Sequence, residues 1–216
     1  PYREAIAGWF RRRHGWEIRT EWIRHAPGVV PALAAAIMAF TQPGEGILVQ
    51  PPVYYPFFST IKGRGRTVVE NPLKLVNGRF EMDFEDLEKK LDDSAVKLVF
   101  LCSPHNPVGR VWSREELEKF GAICAARGVV VVSDEIHCDI LYKGVKHTPL
   151  ADVSDAMRES TITTVAPSKT FNIAGLATAA VVIPSKRLRD NYQAVIDFVH
   201  IDGGKDRKST RLNSSH

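Results

Sequence analysis

Short apolar runs rich in β-branched residues alternate along this chain with longer segments in which apolar residues recur every three or four positions. The runs at 97–102, 129–133 and 161–165 are continuous, which is typical of strands buried on both faces. The longer segments have the period of helices. The pattern predicts strands at 22–25, 47–50, 67–70, 97–102, 129–133, 161–165 and 179–183, a small hairpin at 73–80, and helices at 3–13, 29–40, 55–63, 84–91, 114–127 and 186–200.

Capping residues mark the starts of three predicted helices. Asp83 precedes the helix at 84–91 and Ser113 precedes the helix at 114–127, and each has an acidic residue three positions later, as in a capping box. Ser185 stands in the same position before the last helix. Because strands alternate with helices, we predict an α/β fold with a mostly parallel central sheet that is buried on both faces.

The composition is that of an ordinary globular protein, with 44% hydrophobic and 25% charged residues in a chain of 216. The net charge of +4 is small and not concentrated, so we expect no nucleic-acid partner. No stretch approaches the roughly 18 apolar residues of a membrane span, so we expect no membrane partner. Cys102, Cys124 and Cys138 fit neither a disulfide framework nor a CxxC metal site, which indicates reduced thiols in a cytoplasmic protein.

The two ends of the chain differ from the rest. The first residue is Pro1, and residues 206–216 read DRKSTRLNSSH. That string matches the translation of a common sequencing-library adapter, so we interpret it as a non-native tail; a genuine polar tail is the alternative. We therefore expect residues 1–205 to be part of a domain that is truncated at both ends.

Polar side chains follow four of the predicted strands, at the carboxyl ends where parallel sheets bind ligands. Tyr54, Asn106 and Asp134 follow three of them, and Ser168 with Lys169 follows a fourth. Each residue alone has an ordinary alternative, such as a helix cap for Asp134 or a surface position for Lys169. Together, a lysine that binds an aldehyde and an acid that holds a pyridinium nitrogen are the groups that pyridoxal-phosphate chemistry needs most.

Three strings carry a resemblance to a known family: SPHNPVG at 103–109, SDEIHCD at 133–139 and APSKTFNIAGL at 166–176. In this order and spacing they closely resemble the class I/II aminotransferase branch of the fold-type-I pyridoxal-phosphate enzymes. The resemblance covers essentially residues 1–205. It implies the large domain of that family, a three-layer sandwich around the mostly parallel sheet, with pyridoxal 5'-phosphate as the cofactor and a homodimer when the protein is full length.

The resemblance also implies roles for individual residues. Lys169 matches the lysine that binds the cofactor covalently, and Asp134 matches the acid that pairs with its pyridine nitrogen. Asn106 matches the residue that binds the phenolic oxygen, and its bond to Pro107 is expected to be cis. Tyr54 matches the aromatic residue that stacks on the ring.

Four further residues complete the expected cofactor site. Val29 and Val30 stand where family members offer backbone N–H groups to the phosphate at a helix start. Ser168 lies beside the lysine, and His137 lies three residues after the acid. An ordinary structural role is the alternative for His137.

Three positions depart from the usual aminotransferase pattern. His137 replaces a tyrosine, Ala166 replaces a serine, and Ala177 replaces an arginine that clamps the phosphate in many members. These departures, with PPVYYPF at 51–57 and NIAGL after the lysine, resemble the cystathionine β-lyase-like branch of C–S β-lyases.

This branch implies cleavage of cystathionine or a related amino-acid thioether to a thiol, pyruvate and ammonia. Lys169 is expected to act as the general base on the Cα proton, helped by desolvation and by its neighbours. A class I/II aminotransferase shares every site residue and is the main alternative. A third hypothesis is the ligand-sensing domain of a transcription regulator, whose DNA-binding segment would lie upstream.

Overall fold

Nine strands supply the framework of the fold. A computed structural model describes residues 1–199, and these nine strands lie within that range. The strands are β1 (Ile23–Ala26), β2 (Gly46–Val49), β3 (Thr67–Glu70), β4 (Lys74–Val76), β5 (Arg79–Glu81), β6 (Val96–Cys102), β7 (Val130–Asp134), β8 (Thr161–Val165) and β9 (Ala179–Val182). Seven of them form one sheet in the order β1-β9-β8-β7-β6-β2-β3, while β4 and β5 form a separate antiparallel hairpin.

Five neighbouring strands of the sheet, from β3 through β2, β6 and β7 to β8, are parallel. Their register places Cys102 opposite Asp134 and Asp134 opposite Thr164. The carboxyl ends of these strands therefore meet at one edge of the sheet. Beyond β8 the strand direction alternates: β9 runs antiparallel to β8, and the edge strand β1 runs antiparallel to β9.

Within residues 1–199, eight α-helices accompany the strands. They are α1 (Tyr2–His14), α2 (Val29–Phe40), α3 (Pro56–Lys62), α4 (Phe84–Leu91), α5 (Arg114–Ala126), α6 (Asp155–Ser160), α7 (Pro167–Thr170) and α8 (Lys186–Phe198). One face of the sheet packs against α2, α3 and α8, and the opposite face packs against α4, α5 and α6. A third apolar cluster joins Phe10 of α1 to β1, β8 and β9.

Side-chain alternation along β6 explains why both faces of the sheet are covered. Leu98 and Phe100 belong to the core under α2, α3 and α8, whereas Val99 and Leu101 belong to the core under α4 and α5. All four are at most 1% exposed, so this strand has no solvent-facing side. The predicted α/β three-layer sandwich with a mostly parallel central sheet is confirmed.

Three features of the described structure were not predicted. The sheet has two antiparallel members, β9 and β1, beside its parallel centre. The short helices α6 and α7 were not predicted, because segments of six and four residues are too short to show a helical period. Ser185 stands at the N-cap of α8 as predicted, but its side chain makes no capping hydrogen bond.

Two predictions reach beyond the described residues. The helix expected to extend to about residue 200 is described only as far as Phe198. The interpreted tail at 206–216 lies outside the described residues, so its origin and the boundary at 205 stay predictions.

Cys102, Cys124 and Cys138 are all buried free thiols, as predicted. Among the described residues, no helix combines the length and the apolar character that a membrane crossing requires.

Replacing Ser113 by Ala is expected to destabilise the full-length protein by about 1 kcal/mol. The Ser113 hydroxyl accepts a hydrogen bond from the Glu116 N–H at 3.2 Å, and the Glu116 carboxylate accepts one from the Ser113 N–H at 2.8 Å. Ser185→Ala is the matched control, because Ser185 holds an N-cap position without such a bond. Urea unfolding of both variants checks the prediction; an equal loss in the two would contradict it.

Candidate active site

All eight residues predicted for the cofactor site line one cavity at the carboxyl edge of the sheet. The cavity has a volume of about 200 Å³. Strands β2, β6, β7 and β8 lead into the segments that form it, so residues far apart in sequence converge. The predicted residues are Val29, Val30, Tyr54, Asn106, Asp134, His137, Ser168 and Lys169, and Cys102 and Ile136 complete the lining.

Asp134, the last residue of β7, is the buried acid of the cavity. Its Oδ1 atom accepts hydrogen bonds from the Ile136 N–H at 3.2 Å and from the Thr164 hydroxyl at 3.5 Å. Burial raises the pKa of this carboxyl to about 7, although these hydrogen bonds and the charge of Lys169 oppose the rise. A cation held beside Asp134 would favour the ionised form, and a protonated pyridine nitrogen is such a cation.

Tyr54 gives the cavity its aromatic surface. Its ring is half-buried and packs edge-on against Phe57, with a centroid distance of 5.9 Å. Burial raises the pKa of Tyr54, and Asp134 adds to the effect, so the phenol stays neutral. A neutral ring of this kind can stack on a flat heteroaromatic ligand.

Asn106 enters the cavity from the loop after β6. Its bond to Pro107 is cis, as predicted. Its backbone N–H donates to the Cys102 sulfur at 3.3 Å, whereas no described residue binds its side-chain amide, which is therefore available to a ligand. Burial, and secondarily Asp134, raises the pKa of the Cys102 thiol, so this cysteine is a neutral wall of the cavity and a poor nucleophile.

The start of α2 forms the anion-binding part of the cavity. Gly28 stands at the N-cap and has no side chain to cap the helix, and the first helical bond runs from the Ala32 N–H to the Gly28 carbonyl at 3.2 Å. The N–H groups of Val29 and Val30 therefore lack acceptors within the helix. Uncapped N–H groups at the positive end of a helix suit a phosphate.

Lys169 lies on α7, a single helical turn that follows β8 directly. Pro167 occupies the first turn, where its missing N–H costs no hydrogen bond. The Lys169 side chain is exposed, so the desolvation expected from the sequence does not arise from the described residues. Ser168 precedes it and is half-buried.

His137 presents a neutral imidazole to the cavity. Burial lowers its pKa, and the charge of Lys169 lowers it further. A neutral ring can donate one hydrogen bond and accept another, as the tyrosine of many family members also can.

The two alanines at departing positions lie apart from this lining. Ala166 is 9% exposed and belongs to the core beside α2. Ala177 is exposed and has a left-handed backbone, with φ at +45°.

Several residues that support the cavity were missed by the sequence analysis. Cys102 and Ile136 line it, and Thr164 binds Asp134. The acids on either side of His137 bind elsewhere: Glu135 pairs with His147 at 2.7 Å, and Asp139 binds the first helix and Thr170. The sequence did contain a signal of these supporting contacts. The string DEIHCD has three acids, and binding the cofactor requires only one of them.

The chain matches a known protein family over nearly its whole length. The family described as aminotransferase class I and II matches residues 1–206. The chain belongs to this family. Its fold and the position of the cavity at the carboxyl ends of parallel strands agree with that membership.

Individual relatives show where in the family the similarity is high. The chain is 50% identical to cystathionine β-lyase PatB of Bacillus subtilis (strain 168) over 192 residues, which cover 89% of this chain and 50% of PatB. Its structure matches cystalysin from Treponema denticola, which contains pyridoxal 5'-phosphate, with a TM-score of 0.89 and 41% identity over 91% of this chain and 50% of cystalysin. It matches N-succinyldiaminopimelate aminotransferase from Mycobacterium tuberculosis with a TM-score of 0.86 and 30% identity over 94% of this chain and 52% of that one. The chain thus spans about half the length of these relatives.

Replacing Asp134 by Asn is expected to flatten the pH dependence of the stability of the cofactor-free, full-length protein. The folded carboxyl has a pKa of about 7, above its ordinary value of 3.8, so the folded state binds this proton more tightly than the unfolded state. The resulting stability is fully present below about pH 4 and is lost as the pH rises through about 7. At about 1.36 kcal/mol per pKa unit, the loss is at most on the order of 4 kcal/mol.

Urea unfolding at a series of pH values checks this difference between the two proteins. Asp155→Asn, an exposed substitution on α6, is the matched control and is expected to follow the wild type. If the free energy of unfolding falls by the same amount in the wild type and in Asp134→Asn as the pH rises from about 4 to about 7, the prediction is contradicted.

Proposed function

We propose that the full-length protein is a pyridoxal-phosphate-dependent C–S β-lyase that cleaves cystathionine or a related cysteine S-conjugate. The products would be a thiol, pyruvate and ammonia. The observation that carries the proposal is the convergence of a buried acid, a lysine, an asparagine, an aromatic ring and an uncapped helix start on one cavity. The 50% identity to cystathionine β-lyase PatB supports the choice of reaction.

The lining of the cavity fits pyridoxal 5'-phosphate group by group. The Asp134 carboxyl would hold the protonated ring nitrogen, because its buried surroundings stabilise the anion poorly and a cation would compensate for this. The free N–H groups of Val29 and Val30 would hold the phosphate. Tyr54 would stack on the ring, and Asn106 would bind the phenolic oxygen.

Lys169 and His137 supply the remaining functions. Lys169 is the amine that would bind the cofactor's aldehyde, and in turnover it would accept the proton from Cα of the substrate. Neutral His137 lines the same cavity and can hydrogen-bond polar groups there. Ser168 lies beside Lys169 and lines the same wall.

When bound, the cofactor would supply an electron sink for the pair that remains on Cα after Lys169 has accepted its proton. In the proposed β-elimination the Cβ–S bond would break, and sulfur would depart with the bonding electrons as a thiolate. Water replaces nitrogen in the three-carbon remainder, which gives pyruvate and ammonia. For cystathionine the balance is one water consumed and homocysteine, pyruvate and ammonia released.

Transamination is the alternative outcome, and the same residues serve it. The match to an aminotransferase structure with a TM-score of 0.86 shows that this fold is shared by such enzymes. Sequence identity favours the lyase, because the chain is 50% identical to cystathionine β-lyase PatB and 30% identical to the N-succinyldiaminopimelate aminotransferase. His137 and Ala177, which depart from the usual aminotransferase pattern, favour the same reading.

We also propose that the full-length protein is a cytoplasmic homodimer, as the family resemblance implies. Three buried free thiols support a reducing compartment. Large apolar side chains exposed near the cavity support further covering by protein: Tyr55 is 78% exposed and Tyr142 is 88% exposed.

The full-length protein is expected to release pyruvate and homocysteine from cystathionine in equal amounts. Lys169→Ala is expected to lower this rate by at least about 10³-fold, since both the cofactor's attachment and the base are lost. Lys186→Ala removes an exposed lysine paired with Asp190 on α8 and should leave the rate unchanged. Amino transfer to a keto acid without pyruvate would contradict the lyase and support the aminotransferase.

A further inference from the structure

The helix that carries Lys169 has little packing of its own. None of the four residues of α7 is buried, and the residues at 171 and 172 that follow it are exposed. Its internal bonding is also sparse, with one bond from the Phe171 N–H to the Pro167 carbonyl at 2.9 Å and one from the Ile173 N–H to the Ser168 carbonyl at 3.1 Å. A single turn with so few contacts is not stable by itself, so its position must be set from outside.

Asp139 reaches α7 from outside through a side-chain hydrogen bond. Its side chain is 7% exposed, and its Oδ2 atom accepts a hydrogen bond from the Thr170 hydroxyl at 2.8 Å. Thr170 is the direct neighbour of Lys169. The contact therefore acts on the turn that presents the lysine.

The same carboxylate is bound by two residues of α1. The Trp9 indole N–H donates to Oδ2 at 3.0 Å and to Oδ1 at 3.1 Å, and Oδ1 lies 2.9 Å from His14 Nε2. The Trp9 ring also packs edge-on against Phe171, with a centroid distance of 5.2 Å. Asp139 thus joins α7 to a long helix that is anchored in the core through Phe10.

The charge state of Asp139 suits this role. Burial alone would raise its pKa, but hydrogen bonds from His14, Thr170 and Trp9 outweigh burial and lower the pKa below its ordinary value. The group is therefore a carboxylate at neutral pH, and hydrogen bonds to a charged acceptor are the stronger ones.

We propose that Asp139 is a positioning residue for Lys169, which it places at the cavity by holding Thr170 against α1. Asp139 belongs to the segment that also presents Asp134 and His137 to the cavity. One short segment thus sets the acid, the imidazole and, through Thr170, the lysine. This inference rests on the proposed role of Lys169 as the cofactor-binding amine.

A purely structural role for Asp139 makes a different prediction. If the carboxylate served only to anchor α1, its bonds to Trp9 and His14 would suffice. Loss of the Thr170 hydroxyl would then leave α7 and Lys169 unaffected. Thr170 is therefore the position that separates the two roles.

Thr170→Val tests the proposal in the full-length protein, because valine keeps the shape of threonine and lacks the hydroxyl. In the cofactor-free protein, amide exchange at Phe171 and Ile173 is expected to rise about tenfold. The rate at which added pyridoxal phosphate is captured, followed by its visible absorbance, is expected to fall by about the same factor.

Thr170→Ser restores the hydroxyl and is expected to restore both measurements. Thr67→Val makes the same chemical change on β3, where the hydroxyl donates to the Gly44 carbonyl at 3.2 Å, and is expected to change neither. If Thr170→Val has the same amide-exchange rates and the same rate of cofactor capture as the wild type, the proposal is overturned. Lys169→Ala, measured in parallel, tests the proposed function separately. If this variant captures the cofactor as fast as the wild type, the proposed function is wrong. The amide-exchange measurement on Thr170→Val still tests the positioning role in that case.

Discussion

Parallel pairing of β2, β6, β7 and β8 is the constraint on which the candidate site depends. Parallel neighbours all end at the same edge of the sheet, so the segments that follow them are brought together whatever their separation in sequence. The pairing of Cys102 with Asp134 and of Asp134 with Thr164 fixes the depth at which the buried acid sits. Cores on both faces of the sheet hold these strands in place, so the cavity is built on a rigid framework.

The electrostatics of the cavity match a ligand with a cationic and an anionic end. Burial raises the pKa of Asp134 to about 7 because the buried anion is poorly solvated, so a cation beside the carboxyl would stabilise its ionised form. The uncapped start of α2 offers N–H groups to an anion. A pyridinium ring that carries a phosphate combines these two charges, and Tyr54 offers the cavity an aromatic surface on which such a ring can stack.

The site was predictable from sequence because its residues come in strings with local meaning at the ends of recognisable strands. Asp134, Asn106 and Lys169 were predicted in this way and line one cavity, and the continuous apolar runs predicted the strands that precede them. The antiparallel direction of β9 was not predictable, since a buried strand has the same apolar pattern in either direction. The helix α7 and the bonds of Asp139 to Trp9 and Thr170 depend on contacts between distant segments, which no local pattern records.

The central claim is that the cavity holds pyridoxal phosphate through Lys169. The most direct measurement incubates the full-length protein with pyridoxal phosphate, reduces the lysine–aldehyde bond with borohydride, and maps the modified residue by mass spectrometry of peptides. The account predicts stoichiometric modification of Lys169. Modification of another lysine, such as Lys143 or Lys146, with Lys169 left intact would contradict it.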